Sequence, residues 1–168
     1  NLGYGAALRT GFTAARGDVV FYTDSDLPID LGELARALPL LPEADLVIGY
    51  RLKRFDTPRR ALYSKVYNQL MRMLFGVRVR DVNFSFKLFR RELLSKFTLK
   101  SDGSFIDVEF LCRARKAGAH IIQIGVDYFP RSRGVSTLSS TPVIVNMLRE
   151  MASLLPEIRA EGHRVRPL

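Results

Sequence analysis

Short apolar runs alternate with longer amphipathic stretches along this chain, and that alternation restricts the fold more than any other feature. Val19 to Thr23, Asp45 to Gly49, Phe84 to Phe89 and Ile121 to Val126 have strand length and are rich in β-branched or aromatic residues. Helical patterns separate them. Gly5 to Arg16 has apolar spacing closed by Gly17-Asp18, and Asp30 is placed to cap a helix that Pro39 and Pro42 end. Residues 59–75 predict a long helix with Leu62, Val66, Leu70, Met73 and Leu74 on its apolar face. A short helix follows from Arg90 to Lys96, another from Asp107 to Ala117 stopped by Gly118, and a last one from about Thr141 to Arg159. Its register sets Ile144, Met147, Leu148, Met151 and Leu155 together, a face expected to pack on the core, with a membrane surface as the alternative. Strands and helices in this order predict an α/β fold with a largely parallel sheet.

No repeat or linker interrupts the 168 residues, so one domain is expected, with 141–168 as an amphipathic helix and tail. A doubly wound sheet ordinarily begins with a strand. This chain begins in a loop that runs into a helix, so the first strands of the sheet are expected to be lacking.

The second strong feature is where the first apolar run ends. Val19-Val20-Phe21-Tyr22-Thr23 stops at Asp24-Ser25-Asp26, and open α/β sheets bind ligands at the carboxyl ends of their strands. Two acids one residue apart suit a hard cation such as Mg²⁺ or Mn²⁺ that bridges to phosphate oxygens. The same pattern serves equally in turns and caps, and Pro28 and Asp30 make the segment turn-like.

Charge points the same way. Lys and Arg number 26 against 17 Asp and Glu, a formal +9, which suits an anionic partner. Arg51, Lys53, Arg54, Arg59 and Arg60 leave the strand that ends at Gly49, beside the acids. Arginine is the residue suited to bidentate phosphate binding, although such a stretch also reads as a solvated face. The carboxylates would spoil a nucleic-acid patch, so no nucleic-acid partner is expected.

Other candidates are weaker. Asn1-x-Gly3-x-Gly5 lets the backbone pass close to a ligand or merely makes a tight turn. Arg131-Ser132-Arg133-Gly134-Val135-Ser136 is a basic loop after a strand that suits a phosphate clamp. Asp107 and Glu109 open a helix, where acids also complement the dipole. The aromatics Phe84, Phe86 and Phe89 read as core. Cys112 reads as a buried hydrophobe, and His120 and His163 have no partners at metal-ligand spacing. One cysteine allows no internal disulfide, and neither a signal peptide nor a stretch able to span a bilayer is visible. A cytoplasmic setting is the expectation.

In order, these pieces resemble a family 2 glycosyltransferase of the GT-A fold, and most closely the dolichol-phosphate or polyprenyl-phosphate mannosyl- and glucosyltransferase branch. The resemblance rests on Asn1-x-Gly3-x-Gly5-Ala6-Ala7-Leu8-Arg9-x-Gly11, Asp24-Ser25-Asp26, Val47-Ile48-Gly49-x-Arg51 and Asp81 with Phe86-x-Leu88-Phe89-Arg90-Arg91. It continues through Phe105-x-Asp107-x-Glu109 and Arg131-x-Arg133-Gly134-x-Ser136. It implies a mixed, mostly parallel sheet flanked by helices. It also implies that Asp24 and Asp26 hold Mg²⁺ or Mn²⁺ and the diphosphate of a nucleotide sugar, GDP-mannose or UDP-glucose. Arg51, Arg54, Arg131 and Arg133 would face the lipid phosphate and the leaving diphosphate. Asp81 would sit near the donor sugar, and Asp107 would be the acceptor-side acid. Asn1, Gly3, Arg9 and Ser136 complete the implied substrate contacts. Two departures stand out: the base-binding start of the family precedes this chain, and no glycine follows Asp81 as it often does.

The implied activity is inverting transfer of mannose or glucose to a polyprenyl phosphate, at the cytoplasmic membrane face or in peripheral contact with it. A family 2 enzyme acting on a saccharide hydroxyl, a nucleotidyltransferase releasing pyrophosphate and a basic nucleic-acid-binding module are the competing readings.

Overall fold

The computed structural model describes residues 3–53, 58–129 and 141–161. Its elements are α1 (Tyr4–Ala14), β1 (Val19–Tyr22), α2 (Leu34–Ala37), β2 (Leu46–Arg51), α3 (Pro58–Phe75), β3 (Lys87–Arg90), α4 (Ile106–Lys116), β4 (Ile121–Val126) and α5 (Thr141–Ala160). The strands lie in the order β1-β3-β2-β4. β3 runs antiparallel to both β1 and β2, and β2 pairs parallel with β4. Three strands therefore point one way, as the alternation predicts, but β3 inserts against the grain between two of them. The sheet is mixed, and two of its three pairings are antiparallel.

Side-chain alternation along the strands builds a core on each face. Val20, Leu46, Ile48 and Phe89 meet Met71, Phe75, Phe110 and Leu111 on the face covered by α1, α3, α4 and α5. Val47, Leu88 and Val126 pack with Phe84, Phe86, Ile29 and Leu41 on the other. Phe84, Phe86 and Phe89 are core residues, as the sequence suggests. Cys112 is buried too, and burial pushes its thiol up to about 12, which removes it as a nucleophile.

Three expectations need correction. The Asp30-capped helix is broken: Asp30 accepts from the Gly32 amide at 2.8 Å, but 3₁₀ turns at Leu31–Glu33 and Leu38–Leu40 bracket a single α turn. Pro39 cannot donate an i→i−4 bond, so the helix cannot lengthen through it. The strand foreseen from Phe84 begins only at Lys87, because 84–86 turn inward as core plugs. The apolar face of α3 is also rotated. Leu70 and Leu74 pack against the core as expected, but beside buried Met71 and Phe75, whereas Leu62 and Val66 are each 58% exposed and Met73 69%.

The last helix divides likewise. Met147, Met151, Leu154, Leu155 and Ile158 join the core, while Ile144 and Leu148 stay exposed. Its acids complete the docking. Glu150 accepts from Ser101 Oγ and from the amides of Asp102 and Gly103, and Glu157 accepts from Arg113 at 2.9 Å.

Candidate active site

At the carboxyl ends of β1 and β2 the apolar rows of the α-covered face give way to polar residues. Tyr22 lies directly across from Lys87 in the β1–β3 register, one step beyond the Val20–Phe89 pair. The first turns of two helices close over that step. Tyr4 comes from α1 and Asp107 from α4.

Their side chains form one network. Lys87 Nζ, buried, donates to Asp107 Oδ1 at 2.6 Å and to the Phe84 carbonyl at 2.9 Å, and lies 5.0 Å from the centre of the Tyr22 ring. The Tyr4 hydroxyl reaches Asp24 Oδ1 and Asp107 Oδ2, each at 3.4 Å, and is hydrogen-bonded to the Tyr22 hydroxyl. Burial, reinforced by the nearby Asp107 carboxylate, drives both tyrosine pKa values far above the ordinary range, so both hydroxyls remain protonated donors. Asp24 is held above its usual range as well, first by burial and then by Asp107 and Asp26, against a lowering hydrogen bond from Ser85 and the charge of Lys87. The strand-end acid and the helix-start acid thus share one polar space, bridged by one phenol.

Position of the acidic turn follows from local geometry. The Leu27 amide donates to the Asp24 carbonyl at 3.0 Å, closing a turn with Leu27 at φ 44°. A leucine in that left-handed region is strained, so the surrounding pairings must hold it there. They do: Ile29 bridges Tyr128, and the Phe129 amide donates to the Pro28 carbonyl at 2.8 Å. Tyr128 and Phe129 are therefore fastened to the segment that follows the acids.

Arg51 and Asp81 also come together. The Arg51 guanidinium donates from Nε to Asp81 Oδ2 at 2.7 Å and from Nη2 to Oδ1 at 3.3 Å. Its face lies 5.3 Å from the Tyr128 ring centre and 5.8 Å from that of Phe84. Asn68 holds the loop by donating to the Arg80 carbonyl and accepting from the Val82 amide.

Gly3 and Arg9 sit against the 100–103 loop. A Cβ on Gly5 would meet the Ser101 carbonyl oxygen at 2.5 Å, and one on Gly3, at φ 99°, the Asp102 oxygen at 2.6 Å. Arg9 donates to the carbonyls of Lys100 and Ser101 at 2.7 and 2.8 Å and pairs with Asp102. Glu109, two residues beyond Asp107, is wholly buried and serves the same loop, accepting from the amides of Lys100 and Ser101 and from Arg113. Asn1, Arg54, Arg131, Arg133, Ser136 and His163 lie outside the described residues. The His120 ring contacts the Glu43 carbonyl and joins no site.

The sequence reading missed Tyr4, Tyr22, Ser85 and Lys87. Lys87 had a signal: a lysine between Phe86 and Leu88 in a run otherwise read as core needs a buried anion. The tyrosines had none, because phenols in apolar runs are ordinary core residues.

As to metals, no group of three or more His, Cys, Asp or Glu among the described residues is placed to hold a metal ion. Asp24 and Asp26 remain a pair of hard oxygen donors on one turn, with Asp24 held above its usual range by burial and by other acids. That donor set fits a divalent cation that takes its other oxygens from substrate and water.

Residues 1–98 match the family model described as Glycosyl transferase family 2. The chain is 35% identical over 138 residues to Glycosyltransferase AglD of Haloferax volcanii, covering 77% of this chain and 22% of that protein. It is 31% identical over 153 residues to the polyprenol monophosphomannose synthase of Mycolicibacterium smegmatis, covering 84% of this chain and 58% of that one. It is 27% identical to the undecaprenyl-phosphate 4-deoxy-4-formamido-L-arabinose transferase of Pseudomonas savastanoi pv. phaseolicola, over 92% and 45% of the two chains. The chain thus spans 22–58% of the length of these relatives. Among solved structures, glucosyl-3-phosphoglycerate synthase from Mycobacterium tuberculosis superposes with a TM-score of 0.62 at 19% identity, over 98% of this chain and 56% of that one. The same enzyme bound to Mn²⁺ and uridine-diphosphate-glucose gives 0.57 at 17% identity, over the same shares. The α/β mixed-sheet architecture is that of the GT-A fold.

Proposed function

The chain belongs to glycosyl transferase family 2, and from that premise we propose that its site transfers a hexose from a nucleotide sugar to a polyprenyl phosphate with inversion. GDP-mannose and UDP-glucose are the donors proposed. The observation that carries the reading is the Tyr4 hydroxyl within 3.4 Å of both Asp24 and Asp107. A diphosphate held at the strand-end acid and an acceptor held at the helix-start acid would then meet in one space.

Asp24 and Asp26 would hold Mg²⁺ or Mn²⁺, which when bound supplies charge stabilisation to the leaving diphosphate. Arg51, held in place by Asp81 and two rings, lines the same sheet edge, and Arg54, Arg131 and Arg133 are proposed to contribute the remaining phosphate contacts. Asn1 and Ser136 are proposed as further substrate contacts. Gly3 and Arg9 would act on substrate by way of the 100–103 loop. Lys87 pins one oxygen of Asp107 and leaves the other directed at the Tyr4 hydroxyl. A phosphate acceptor is already anionic near neutral pH, so Asp107 need not remove a proton, and the acceptor would be positioned by the arginines and the cation. The names of the M. smegmatis and Pseudomonas relatives, both of which refer to polyprenyl-type phosphates, support this acceptor.

A second reading has its own support. Glucosyl-3-phosphoglycerate synthase shares the fold, so a hydroxyl acceptor is also compatible with it, and Asp107 would then be the base. One pair of assays separates them. Asp107→Asn should retain most transfer to a polyprenyl phosphate under the first reading and lose about a hundredfold or more to a hydroxyl acceptor under the second. Release of pyrophosphate in place of a nucleoside diphosphate would refute both. No helix among the described residues is long and apolar enough to cross a membrane. A cytoplasmic site in peripheral contact with the membrane face is the setting proposed.

A further inference from the structure

A groove of about 720 Å³ lies between the carboxyl ends of α3 and α4 and the start of β4. It is remote from the acids. Asp107 is in the first turn of α4 and Arg115 in its last, eight residues or roughly 12 Å along the helix.

Its lining is basic. Arg72, Arg78 and Arg115 contribute three guanidinium groups, and no carboxylate among the described residues lines it. Arg115 is placed by the backbone: Nη1 donates to the Phe75 carbonyl at 3.1 Å, and the guanidinium lies against Gly76. A Cβ on Gly76, whose φ is 67°, would meet Arg115 Nη1 at 2.9 Å, so this residue must stay small for the arginine to lie there. Arg72 and Arg78 have no ion pair or side-chain hydrogen bond among the described residues. Gln123 fixes the opposite wall by donating to the Arg78 carbonyl and accepting from the Arg80 amide. Like charges gathered in a concavity repel unless an anion lies among them.

We propose that this groove is a second anion site, which takes a phosphate monoester or diphosphate group. Three planar forks suit phosphoryl oxygens better than a lone carboxylate, which one arginine satisfies. Two sources share that chemistry. A soluble phosphate ester would enter from solvent. An anionic phospholipid would bring its headgroup to the groove while Met73, at its rim, and Leu62 and Val66, on the same exposed stripe of α3, entered the interface. The site does not depend on the sugar-transfer reading.

The test uses two probes on the whole chain, the double variant Arg72→Gln/Arg78→Gln, and Asp24→Asn. Both arginines are exposed, so the double variant is expected to fold, and its thermal midpoint checks this. Sodium pyrophosphate is titrated by calorimetry with EDTA present. Sedimentation with vesicles of phosphatidylcholine, with and without phosphatidic acid, is run alongside. Affinity weakened about tenfold or more in the double variant but kept in Asp24→Asn supports the site. Loss in the calorimetric arm assigns a soluble ester; loss confined to phosphatidic acid vesicles assigns a lipid headgroup. If the double variant matches the wild-type chain in both arms, or if Asp24→Asn alone loses binding, the proposal is overturned.

Discussion

Replacing Lys87 by methionine gives the sharpest test of how the site is held. The ammonium is 2% exposed and lies 2.6 Å from Asp107 Oδ1. At that separation the gross attraction is about 6 kcal/mol with an effective dielectric near 20. Desolvation offsets most of it, so the pair contributes little net stability against an apolar pair of similar volume. Removing one partner is different. Methionine fills the space but leaves a buried carboxylate near Asp24, and such a loss costs about 3–5 kcal/mol. Against the 5–15 kcal/mol typical of a domain, that shift is large. Urea denaturation followed by circular dichroism would show it as a lower midpoint with an unchanged slope. Lys87→Met/Asp107→Asn should regain about half of the loss, because the orphaned charge is gone and only unmet hydrogen bonds remain. A single-variant loss below about 1 kcal/mol, or a double variant no better than the single, would refute the view that Lys87 exists to hold Asp107.

Three further perturbations probe separate parts of the account. Asp24 keeps its proton to higher pH folded than unfolded, so its contribution to stability is full below the ordinary carboxylate range and lost as pH rises through its folded value. Asp24→Asn should therefore raise the thermal midpoint at neutral pH without divalent cation, with the gain fading on acidification; a gain independent of pH would contradict this. Gly5→Ala forces a Cβ onto backbone atoms of Ser101, Asp102 and Gly103 at 2.5–2.9 Å, none of which can swing aside. A cost of about 1–3 kcal/mol in the same urea assay is expected. Glu109→Gln turns one acceptor oxygen into an amide facing N–H donors in a fully buried position, and should cost about 3–5 kcal/mol. The partly exposed Glu161, paired with the same Arg113, should cost under about 1 kcal/mol on the same change.

The order of strands and helices was legible because burial imposes periods of 2 and 3.6 on the sequence. Ile121 to Val126 forms a strand with the expected bounds, and Gly118 ends α4 at φ 78°, as its type suggests. Strand pairing was not legible: nothing local tells Lys87–Arg90 to insert antiparallel between β1 and β2. The rotation of α3 escaped for a related reason. Leu62, Val66 and Met73 obey helical spacing as well as Met71 and Phe75 do, and only tertiary packing selects the buried stripe. Type and position offered Asp24 as a candidate and the resemblance added Asp81 and Asp107; the structure brings Asp24 and Asp107 to one phenol and pairs Asp81 with Arg51. Tyr4, Tyr22 and Lys87, which surround Asp24 and Asp107, come from three separate elements, and a meeting of that kind leaves no mark in local sequence.

Under the proposed function, the space between Asp24 and Asp107 receives a nucleotide sugar with a divalent cation. Calorimetric titration of the chain with UDP-glucose and with GDP-mannose, with Mn²⁺ and with EDTA, tests it most directly. Binding to one of them is expected that requires Mn²⁺ and falls about a hundredfold or more in Asp24→Asn. Binding of equal strength in EDTA, or undiminished by Asp24→Asn, would contradict it.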